Sequence, residues 1–315
     1  MEFRCIIIDD MHPSIVPMLK KIDINADYRP TITKQELIEI IGDYEGIIAR
    51  SKFKIDKTLL DKASRLKFIA RAGAGLDMID LEEVEKRGIL LINAPEGNRD
   101  AVAEHTLALL LSLLNNISRA DTQVRQGIWQ REQNRGHELK SKTVALIGYG
   151  FMGKAVAKRL SSFECEVIAY DKYLKDYSDN YVTEVNMQEV LERADIVSFH
   201  VPLTNETSGM GDNAFFSSFK KSIWVINTAR GEVIKLQDLL EMMDAGKVRG
   251  AGLDVLEHEK INKLQDQEKE VFERLTLSEK VILTPHIAGW TYESYERINE
   301  TLVYKINNSG IVKKA

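Results

Sequence analysis

The chain has 315 residues, with 43 basic and 48 acidic side chains and a formal net charge of −5. This length predicts two or three domains that need no disulfide or metal staple, and the mildly acidic balance gives no overall attraction for nucleic acid or an anionic membrane. The two cysteines, Cys5 and Cys165, stand in no CxxC motif and no Cys/His cluster, which argues against both a zinc site and a secreted disulfide framework.

Neither a targeting signal nor a membrane span is expected. The first ten residues place acids on both sides of a short apolar run, whereas a signal peptide needs a basic start and a longer apolar core. The most apolar helix candidate, 107–114, is far shorter than the ~18 residues of a membrane span. We therefore expect a cytoplasmic protein with no membrane, nucleic-acid or metal partner.

Short apolar runs alternate with stretches of helical periodicity along the chain. The predicted strands are Cys5–Ile8, Gly46–Ala49, Phe68–Arg71, Ile89–Ile92, Thr143–Ile147, Glu166–Tyr170, Asp195–Phe199, Ile223–Ile226, Gly250–Asp254 and Val281–Leu283. The helical stretches include Lys34–Ile41, Arg99–Asn116, Lys154–Leu160, Met187–Glu192, Leu236–Asp244 and Tyr292–Asn307. Continuously apolar strands alternating with helices predict right-handed βαβ units in doubly wound parallel sheets.

The strands form two series, which predict two α/β domains. We place one domain at residues 1–95 plus 290–315 and the other at 96–289, so that the last helix returns to the first domain. The charged stretch Glu257–Glu270 is predicted to be a solvated surface loop or helix.

An apolar strand runs into the sequence Gly148-Tyr149-Gly150-Phe151-Met152-Gly153, and a helical pattern follows at once. In such a GxGxxG loop the first glycine permits the tight turn, the second lets the backbone approach a pyrophosphate, and the third lets helix and strand pack closely. The helix N-terminus adds unpaired N–H donors and the positive end of a dipole. This arrangement predicts a dinucleotide site.

The next strand ends at Asp171, where a carboxylate would take the adenosine ribose hydroxyls. This acid would repel a ribose 2′-phosphate and so favours NAD over NADP. Lys172 beside it reduces that preference.

Three later strands end in Asn227-Thr228-Ala229-Arg230-Gly231, in the run from Ala251 to Glu259, and in Thr284-Pro285-His286-Ile287-Ala288-Gly289. The carboxyl edge of a doubly wound sheet is where ligands bind. An arginine there can bind a carboxylate with two hydrogen bonds, and a histidine can move a proton when a carboxylate orients it. These residue types suit redox chemistry on a 2-oxo acid.

These ordered motifs resemble the D-isomer-specific 2-hydroxyacid dehydrogenase family over nearly the whole chain. The resemblance implies a Rossmann cofactor domain and a flavodoxin-like substrate domain, with the active site in the cleft between them and a homodimer formed through the cofactor domain around 99–145. It also implies Arg230 as substrate clamp, His286 as general acid/base and Glu259, rather than Glu257, as the partner of His286. Two departures from the family pattern concern the loop after Glu259: Lys260 stands where many members have proline, and the spacer to His286 is longer.

Further site residues follow from the motifs and the resemblance together. The predicted cofactor set is Gly148, Gly150, Phe151, Met152, Gly153, Asp171, His200, Val201, Pro202, Thr207, Thr228, Ala229, Asp254, Ala288 and Gly289. The predicted substrate set is Arg50, Ser51, Gly73, Ala74, Gly75 and Asn98. His105 and His258 are interpreted as a packing residue and an exposed neighbour, and Trp290 as either an active-site wall or a core residue.

The expected activity is NAD-dependent interconversion of a D-2-hydroxy acid and its 2-oxo acid. We expect a phosphoglycerate dehydrogenase-like enzyme in a short form without a regulatory domain, with hydroxypyruvate or glyoxylate reduction as the alternative. A non-enzymatic, NAD(H)-sensing protein like the corepressors built on this fold is the alternative of another class.

Overall fold

A computed structural model describes residues 2–312; Met1 and residues 313–315, which the predicted domain boundaries include, lie outside the described part. The chain divides into two compact units. Unit 1 comprises the described residues of Met1–Asp100 and Trp290–Ala315, and unit 2 is Ala101–Gly289. The predicted boundary at 95/96 falls at the start of a continuous helix, Pro95–Leu114, whose first turn this division leaves in unit 1.

Unit 1 is built on a parallel sheet that has five strands among the described residues. The strands are β1 Phe3–Ile7, β2 Ile24–Tyr28, β3 Gly46–Ala49, β4 Phe68–Arg71 and β5 Leu90–Asn93, in the order β2-β1-β3-β4-β5. Its helices are α1 Ile15–Lys20, α2 Lys34–Ile40, α3 Lys57–Leu60, α4 Leu81–Lys86 and the start of α5 Pro95–Leu114. Apolar clusters cover both faces of this sheet, and α12 Tyr292–Asn308 contributes Ile298, Leu302 and Ile306 to one of them.

Unit 2 carries a larger parallel sheet, with seven strands in the part of the chain described. These are β6 Thr143–Ile147, β7 Glu166–Tyr170, β8 Thr183–Glu184, β9 Ile196–Phe199, β10 Ile223–Asn227, β11 Val248–Leu253 and β12 Val281–Leu283, in the order β12-β11-β10-β9-β6-β7-β8. Its helices after α5 are α6 Ile117–Arg125, α7 Phe151–Leu160, α8 Met187–Arg193, α9 Asn213–Ser217, α10 Leu236–Asp244 and α11 Asp266–Leu277. From β6 the chain first adds β7 and β8 on one side of the sheet and then β9 to β12 on the other. The carboxyl ends of β6, β7 and β9 therefore frame a topological switch point, where ligands bind in such sheets.

The predicted fold class of two doubly wound α/β domains is confirmed: unit 1 has the flavodoxin-like strand order and unit 2 the Rossmann order. All ten predicted strands are present, with ends shifted by a few residues at most. Two strands that the sequence did not predict, β2 and β8, both lie at sheet edges. The stretch Glu257–Glu270 contains a 3-10 turn, Ile261–Lys263, and the beginning of α11.

Local sequence signals explain where several helices begin. Helix α5 starts at Pro95, earlier than the predicted Arg99, because proline fits the first helical position, where its missing N–H is no loss. Thr33 and Thr291 cap α2 and α12 with reciprocal side-chain hydrogen bonds to the third helical residue. None of the helices within residues 2–312 is both long and apolar enough to cross a membrane.

Candidate active site

The dinucleotide loop joins β6 to α7, and its three glycines have different surroundings. Gly148 has φ +97°, and a Cβ there would lie 2.6 Å from the His200 carbonyl oxygen; a Cβ at Gly153 would overlap the Gly148 carbonyl oxygen. A Cβ at Gly150, in contrast, would meet no described atom within 4 Å. Among the described residues, no side chain makes a capping hydrogen bond to the first turn of α7. The open space at Gly150 beside an uncapped helix N-terminus fits the phosphates of a dinucleotide.

Asp171 lies directly after β7 and is tied to the same loop. Its carboxylate accepts hydrogen bonds from the backbone N–H groups of Tyr149 at 2.9 Å and of Tyr173 and Leu174 at 3.0 Å. Burial raises the pKa of Asp171, but these hydrogen bonds and nearby Lys154 outweigh that effect and hold the pKa below its usual range. An ionised carboxylate beside the glycine loop fits the role of acceptor for ribose hydroxyls.

Because Gly150 and Gly153 differ in the space around them, we expect alanine substitutions at the two positions to have different effects. Gly153→Ala is expected to lower the free energy of unfolding by about 1–3 kcal/mol, because its methyl group would overlap the Gly148 carbonyl. Gly150→Ala is the matched control for stability, since its methyl group meets no described protein atom and should cost less than about 1 kcal/mol. Gly150→Ala should still weaken NADH binding about tenfold or more, because the methyl group takes the space needed by the pyrophosphate.

Urea unfolding and NADH fluorescence titration of both variants check this pair. An equal loss of stability in the two variants, or an unchanged NADH affinity in Gly150→Ala, would contradict the assignment of the loop.

The remaining cofactor residues of the predicted set are spread over four strand ends and one helix. His200, Val201, Pro202 and Thr207 follow β9, Thr228 and Ala229 follow β10, Asp254 follows β11, Ala288 and Gly289 follow β12, and Phe151 and Met152 begin α7. His200 directly follows β9, and Ser198 Oγ lies 2.9 Å from its Nε2. Burial lowers the pKa of His200 to about 4, so its ring is neutral at neutral pH. Thr207 donates from Oγ1 to the Pro202 carbonyl at 2.6 Å. Thr228 Oγ1 lies 2.9 Å from Thr106 Oγ1 in a buried pair. The cofactor contacts of these residues stay predictions.

The three predicted catalytic residues follow three neighbouring strands: Arg230 comes after β10, Glu259 after β11 and His286 after β12. The turn that carries Arg230 is held by Asn227, whose side chain donates to the Arg230 carbonyl at 2.8 Å and accepts from the Ala229 N–H at 3.0 Å. The Arg230 Nη1 donates to the Ala229 carbonyl at 2.7 Å. The parallel sheet thus delivers all three side chains to one edge.

Glu259 and His286 form a hydrogen-bonded pair, with Glu259 Oε1 2.8 Å from His286 Nδ1. An ionised carboxylate only accepts, so the hydrogen must sit on Nδ1. In the chain from 2 to 312 no residue hydrogen-bonds to Nε2 of His286, and both side chains are about half exposed. The pair therefore presents Nε2 as the ring atom that can exchange a proton with a bound molecule.

Asp254 has a role that sequence reasoning missed. It is 1% exposed, and its carboxylate accepts from Thr284 Oγ1 at 2.6 Å, the Ile287 N–H at 2.9 Å and the Ala288 N–H at 2.8 Å. Its backbone carbonyl accepts from the His286 N–H at 2.7 Å. Asp254 thereby fixes the turn at 284–288 that holds His286, which adopts an unusual positive φ of 56°. The predicted contact of Asp254 with the cofactor stays a prediction.

His105, interpreted from the sequence as a packing residue, belongs to the same network. Its Nε2 lies 3.0 Å from Thr284 Oγ1 and 3.5 Å from Asp254 Oδ1. Thr284 donates its only hydroxyl hydrogen to Asp254, so His105 Nε2 must donate to Thr284. Burial raises the pKa of Asp254, but nearby His105 and the hydrogen bonds from Thr284 and the two amides prevail and keep it below its usual range. The only sequence signal was a histidine on an otherwise apolar helix.

The predicted substrate residues lie in unit 1, at the carboxyl ends of its strands. Arg50 and Ser51 follow β3; the Arg50 N–H donates to Asp9 Oδ2 at 2.7 Å, and the guanidinium carbon lies 3.9 Å from the centroid of the Trp290 ring. Trp290 is half exposed and stacks on Arg50, so it is not a core residue.

The glycine-rich loop of unit 1 is held by its carbonyl groups. Gly73 has φ +137° and its carbonyl accepts from the Ala94 N–H at 2.9 Å, while the Ala74 carbonyl accepts from Asn93 Nδ2 at 2.9 Å. The Ala74 and Gly75 N–H groups donate to none of the residues described, and the Asn98 Oδ1 atom is buried without a described partner. The unused N–H donors of Ala74 and Gly75 are compatible with an anionic ligand, whereas Asn98 Oδ1 is an acceptor and would need a donor from a ligand; the substrate contacts stay predictions.

Comparison with known proteins decides the family. A sequence model described as D-isomer specific 2-hydroxyacid dehydrogenase, NAD binding domain, matches residues 107–288. The chain belongs to this family. The predicted family and the predicted NAD cofactor are therefore confirmed, and 107–288 is the family's NAD-binding region. Within residues 2–312 no group of three or more His, Cys, Asp or Glu side chains is placed to hold a metal ion.

Several relatives are similar over most of this chain. It is 35% identical over 275 residues to hydroxypyruvate reductase of Thermotoga maritima, with 87% of this chain and 88% of that protein covered. It is 34% identical over 307 residues to D-3-phosphoglycerate dehydrogenase of Archaeoglobus fulgidus, with 97% of this chain but only 57% of that protein covered, so the chain spans little more than half of that relative. The structure of D-lactate dehydrogenase from Aquifex aeolicus, complexed with NAD and lactic acid, has a TM-score of 0.82 at 30% identity, with 98% and 95% of the two chains covered.

Proposed function

We propose that this member of the 2-hydroxyacid dehydrogenase family is an NAD-dependent oxidoreductase that interconverts a D-2-hydroxy acid and its 2-oxo acid. The observation that carries the proposal is the Glu259–His286 pair, with Nδ1 bonded and Nε2 available, at the same sheet edge as Arg230. The glycine loop and Asp171, which fit a dinucleotide, lie at the carboxyl edge of the same sheet.

NAD, when bound, supplies or accepts the hydride at the substrate's C2 carbon. In reduction, His286 Nε2 would donate a proton to the carbonyl oxygen, and in oxidation it would remove the hydroxyl proton. The Glu259 carboxylate, 2.8 Å from Nδ1, holds the ring in one orientation and stabilises its protonated form. Asp254 holds the turn that carries His286.

Arg230 would bind the substrate carboxylate with the two parallel donors of its guanidinium and stabilise the negative charge that develops on the neighbouring oxygen. The Asn227 hydrogen bonds fix the backbone of the turn that carries Arg230.

Within the 2-hydroxy acids, we propose 3-phosphoglycerate and its 2-oxo acid as the substrate pair. Arg71 pairs with Ala49 in the sheet of unit 1, so Arg50 stands immediately beyond a neighbouring strand end. The Arg71 guanidinium covers Gly73, next to the unused N–H groups of Ala74 and Gly75. Two cations and two N–H donors at one sheet edge suit a substrate with both a carboxylate and a phosphate.

Steady-state assays of NADH oxidation with 3-phosphohydroxypyruvate, hydroxypyruvate and glyoxylate test the substrate. The proposal predicts the highest kcat/KM for 3-phosphohydroxypyruvate. A higher kcat/KM for hydroxypyruvate or glyoxylate would refute the proposed substrate but not the proposed reaction. NADH binding without turnover of any of the three would favour a non-enzymatic, NAD(H)-sensing protein.

We further propose that two copies of the chain associate through the predicted region 99–145. Ile117, Val124 and Trp129 are exposed apolar residues in or just after α6, and the first two share a helix face at a spacing of seven residues. A patch of this kind on a soluble protein marks an interaction site.

Trp129→Glu is therefore expected to convert a dimer to a monomer in light scattering, because a buried charge at the interface is costly. Leu277→Glu is the matched control, since Leu277 and Trp129 are both 83% exposed and only Trp129 lies in the proposed interface. A wild-type monomer at micromolar concentration, or an unaffected dimer in Trp129→Glu, would refute the assignment.

A further inference from the structure

A chain of side-chain contacts spans the carboxyl end of β6, the strand that enters the glycine loop. Strands β7 and β9 flank β6 on its two sides. Lys172 and Tyr173 follow β7, and Glu206 lies on the loop after β9. Lys172 Nζ lies 2.5 Å from Glu206 Oε1, and the Tyr173 hydroxyl donates to Glu206 Oε2 at 2.8 Å. Glu206 therefore joins the loop after β9 to the loop after β7, the two loops that border the switch point.

The charges of Asp171, Lys172 and Glu206 determine how this contact affects a bound nucleotide. Lys172 directly follows Asp171, and Lys154 also lies close enough to Asp171 to lower its pKa. The hydrogen bond with Glu206 raises the pKa of Lys172, and Lys172 and then Tyr173 lower the pKa of Glu206, so both partners of the pair are ionised at neutral pH. Asp171, Lys172 and Glu206 together carry one net negative charge, and the positive charge of Lys172 is already neutralised.

We infer that Glu206 is a specificity-determining residue for the cofactor, because it holds Lys172 and so withholds that cation from a phosphate on the adenosine 2′ oxygen. The inference rests on the dinucleotide site at Gly148–Gly153 and Asp171, and it is independent of the substrate proposed above. Asp171 disfavours a 2′-phosphate by repulsion, and Glu206 removes the cation that would compensate for it.

The pair can exchange partners at little cost. Both side chains are about half exposed, and ion pairs between exposed side chains contribute little to stability because water screens them. Lys172 is therefore free to bind a new anion once Glu206 loses its charge. A 2′-phosphate carries nearly two negative charges and strong acceptor oxygens, which a lysine ammonium binds as a point charge.

Binding of two small nucleotides tests this without any turnover. Adenosine 5′-monophosphate and adenosine 2′,5′-bisphosphate differ only in the 2′-phosphate, and their dissociation constants can be measured by displacement of NADH fluorescence. Glu206→Gln is expected to raise the affinity for the bisphosphate relative to the monophosphate by about 5- to 20-fold, the effect of removing one nearby charge at an exposed site.

A double-variant cycle assigns the effect to Lys172. Lys172→Ala alone should lower the affinity for the bisphosphate relative to the monophosphate, because Glu206 then stands as an uncompensated negative charge near Asp171. In Glu206→Gln combined with Lys172→Ala the gain should disappear. Glu164→Gln is the matched control: it breaks another exposed Lys–Glu pair of unit 2, with Lys140 at 2.8 Å, at the amino ends of β6 and β7, and it should leave the ratio unchanged.

Two results would overturn the inference. One is a ratio in Glu206→Gln that stays within twofold of the wild-type ratio. The other is a gain that persists after Lys172 is removed, which would assign it to Lys154 or to the overall charge. An enzyme that fails to turn over any 2-oxo acid would refute the proposed function but would leave these nucleotide affinities measurable, so the two failures are distinguishable.

Discussion

Replacing His286 with alanine is expected to lower kcat for reduction of a 2-oxo acid by about 10²–10⁴-fold, the usual effect of losing a general acid/base. The physical reason is that Nε2 of His286 is the ring atom left available when Glu259 binds Nδ1 at 2.8 Å. NADH affinity should stay within about twofold, because the glycine loop and Asp171 follow β6 and β7, whereas His286 follows β12 at the opposite edge of the sheet. Stopped-flow absorbance at the NADH band, together with an NADH titration, measures both quantities.

His258→Ala is the matched control for that experiment. His258 is exposed, precedes Glu259 in sequence and pairs with Glu268 at 3.0 Å rather than with His286. Its removal should leave kcat within about twofold. A variant lacking His286 that turned over at a near-normal rate would show that another group moves the proton.

Replacing Arg230 with lysine is expected to lower kcat/KM about 100-fold, even though the charge is kept. A guanidinium offers two parallel donors to a carboxylate, whereas an ammonium is a point charge, so one charge-assisted hydrogen bond is lost. The effect should appear with the 2-oxo acid and not in the affinity for NADH. Initial rates over a range of 2-oxo acid concentrations separate the contributions of kcat and KM.

The same substitution at Arg274 serves as the control. Arg274 pairs with Asp244 on the surface of unit 2 and stands in none of the predicted site positions. Arg274→Lys should leave kcat/KM unchanged. If Arg230→Lys kept both substrate affinity and rate, the assignment of Arg230 as the carboxylate clamp would be wrong.

Most of the fold was predictable because its strands are buried on both faces. Such strands read as continuous apolar runs, and a run such as Thr143–Ile147 has the same limits in sequence and structure. The two missed strands are edge strands: β2 reads Ile-Asn-Ala-Asp-Tyr, in which polar residues interrupt the apolar run, and β8 has only two residues. Pairing with one neighbour needs only backbone groups, so these strands leave little signal in their side chains.

The site was predictable where it depends on chain order and unpredictable where it depends on turn geometry. Arg230, Glu259 and His286 follow three apolar strands, and parallel strands bring their carboxyl ends to one edge. The Asp254 network depends instead on the backbone of 284–288 folding back, with His286 at positive φ, and on His105, which precedes Thr284 by 179 residues. No local pattern encodes such a distant hydrogen bond.

The charge balance also has a different meaning once the structure is known. A net charge of −5 predicts no general affinity for anions, yet the proposed ligands are an anionic cofactor and an anionic acid. Local donors must outweigh the overall charge: the open glycine loop, Arg230 and the N–H groups of Ala74 and Gly75. At Lys172 a cation is withheld from the ligand, because Glu206 neutralises the lysine that follows Asp171.

Deuterium transfer from NADH labelled at the transferred position is the sharpest test of the proposal that this chain reduces 2-oxo acids through His286. We expect one deuterium at C2 of a product with the D configuration, one equivalent of NADH consumed per product, and loss of this transfer in His286→Ala. NADH that binds but is not consumed with any 2-oxo acid of the panel, or a product of the L configuration, would contradict it.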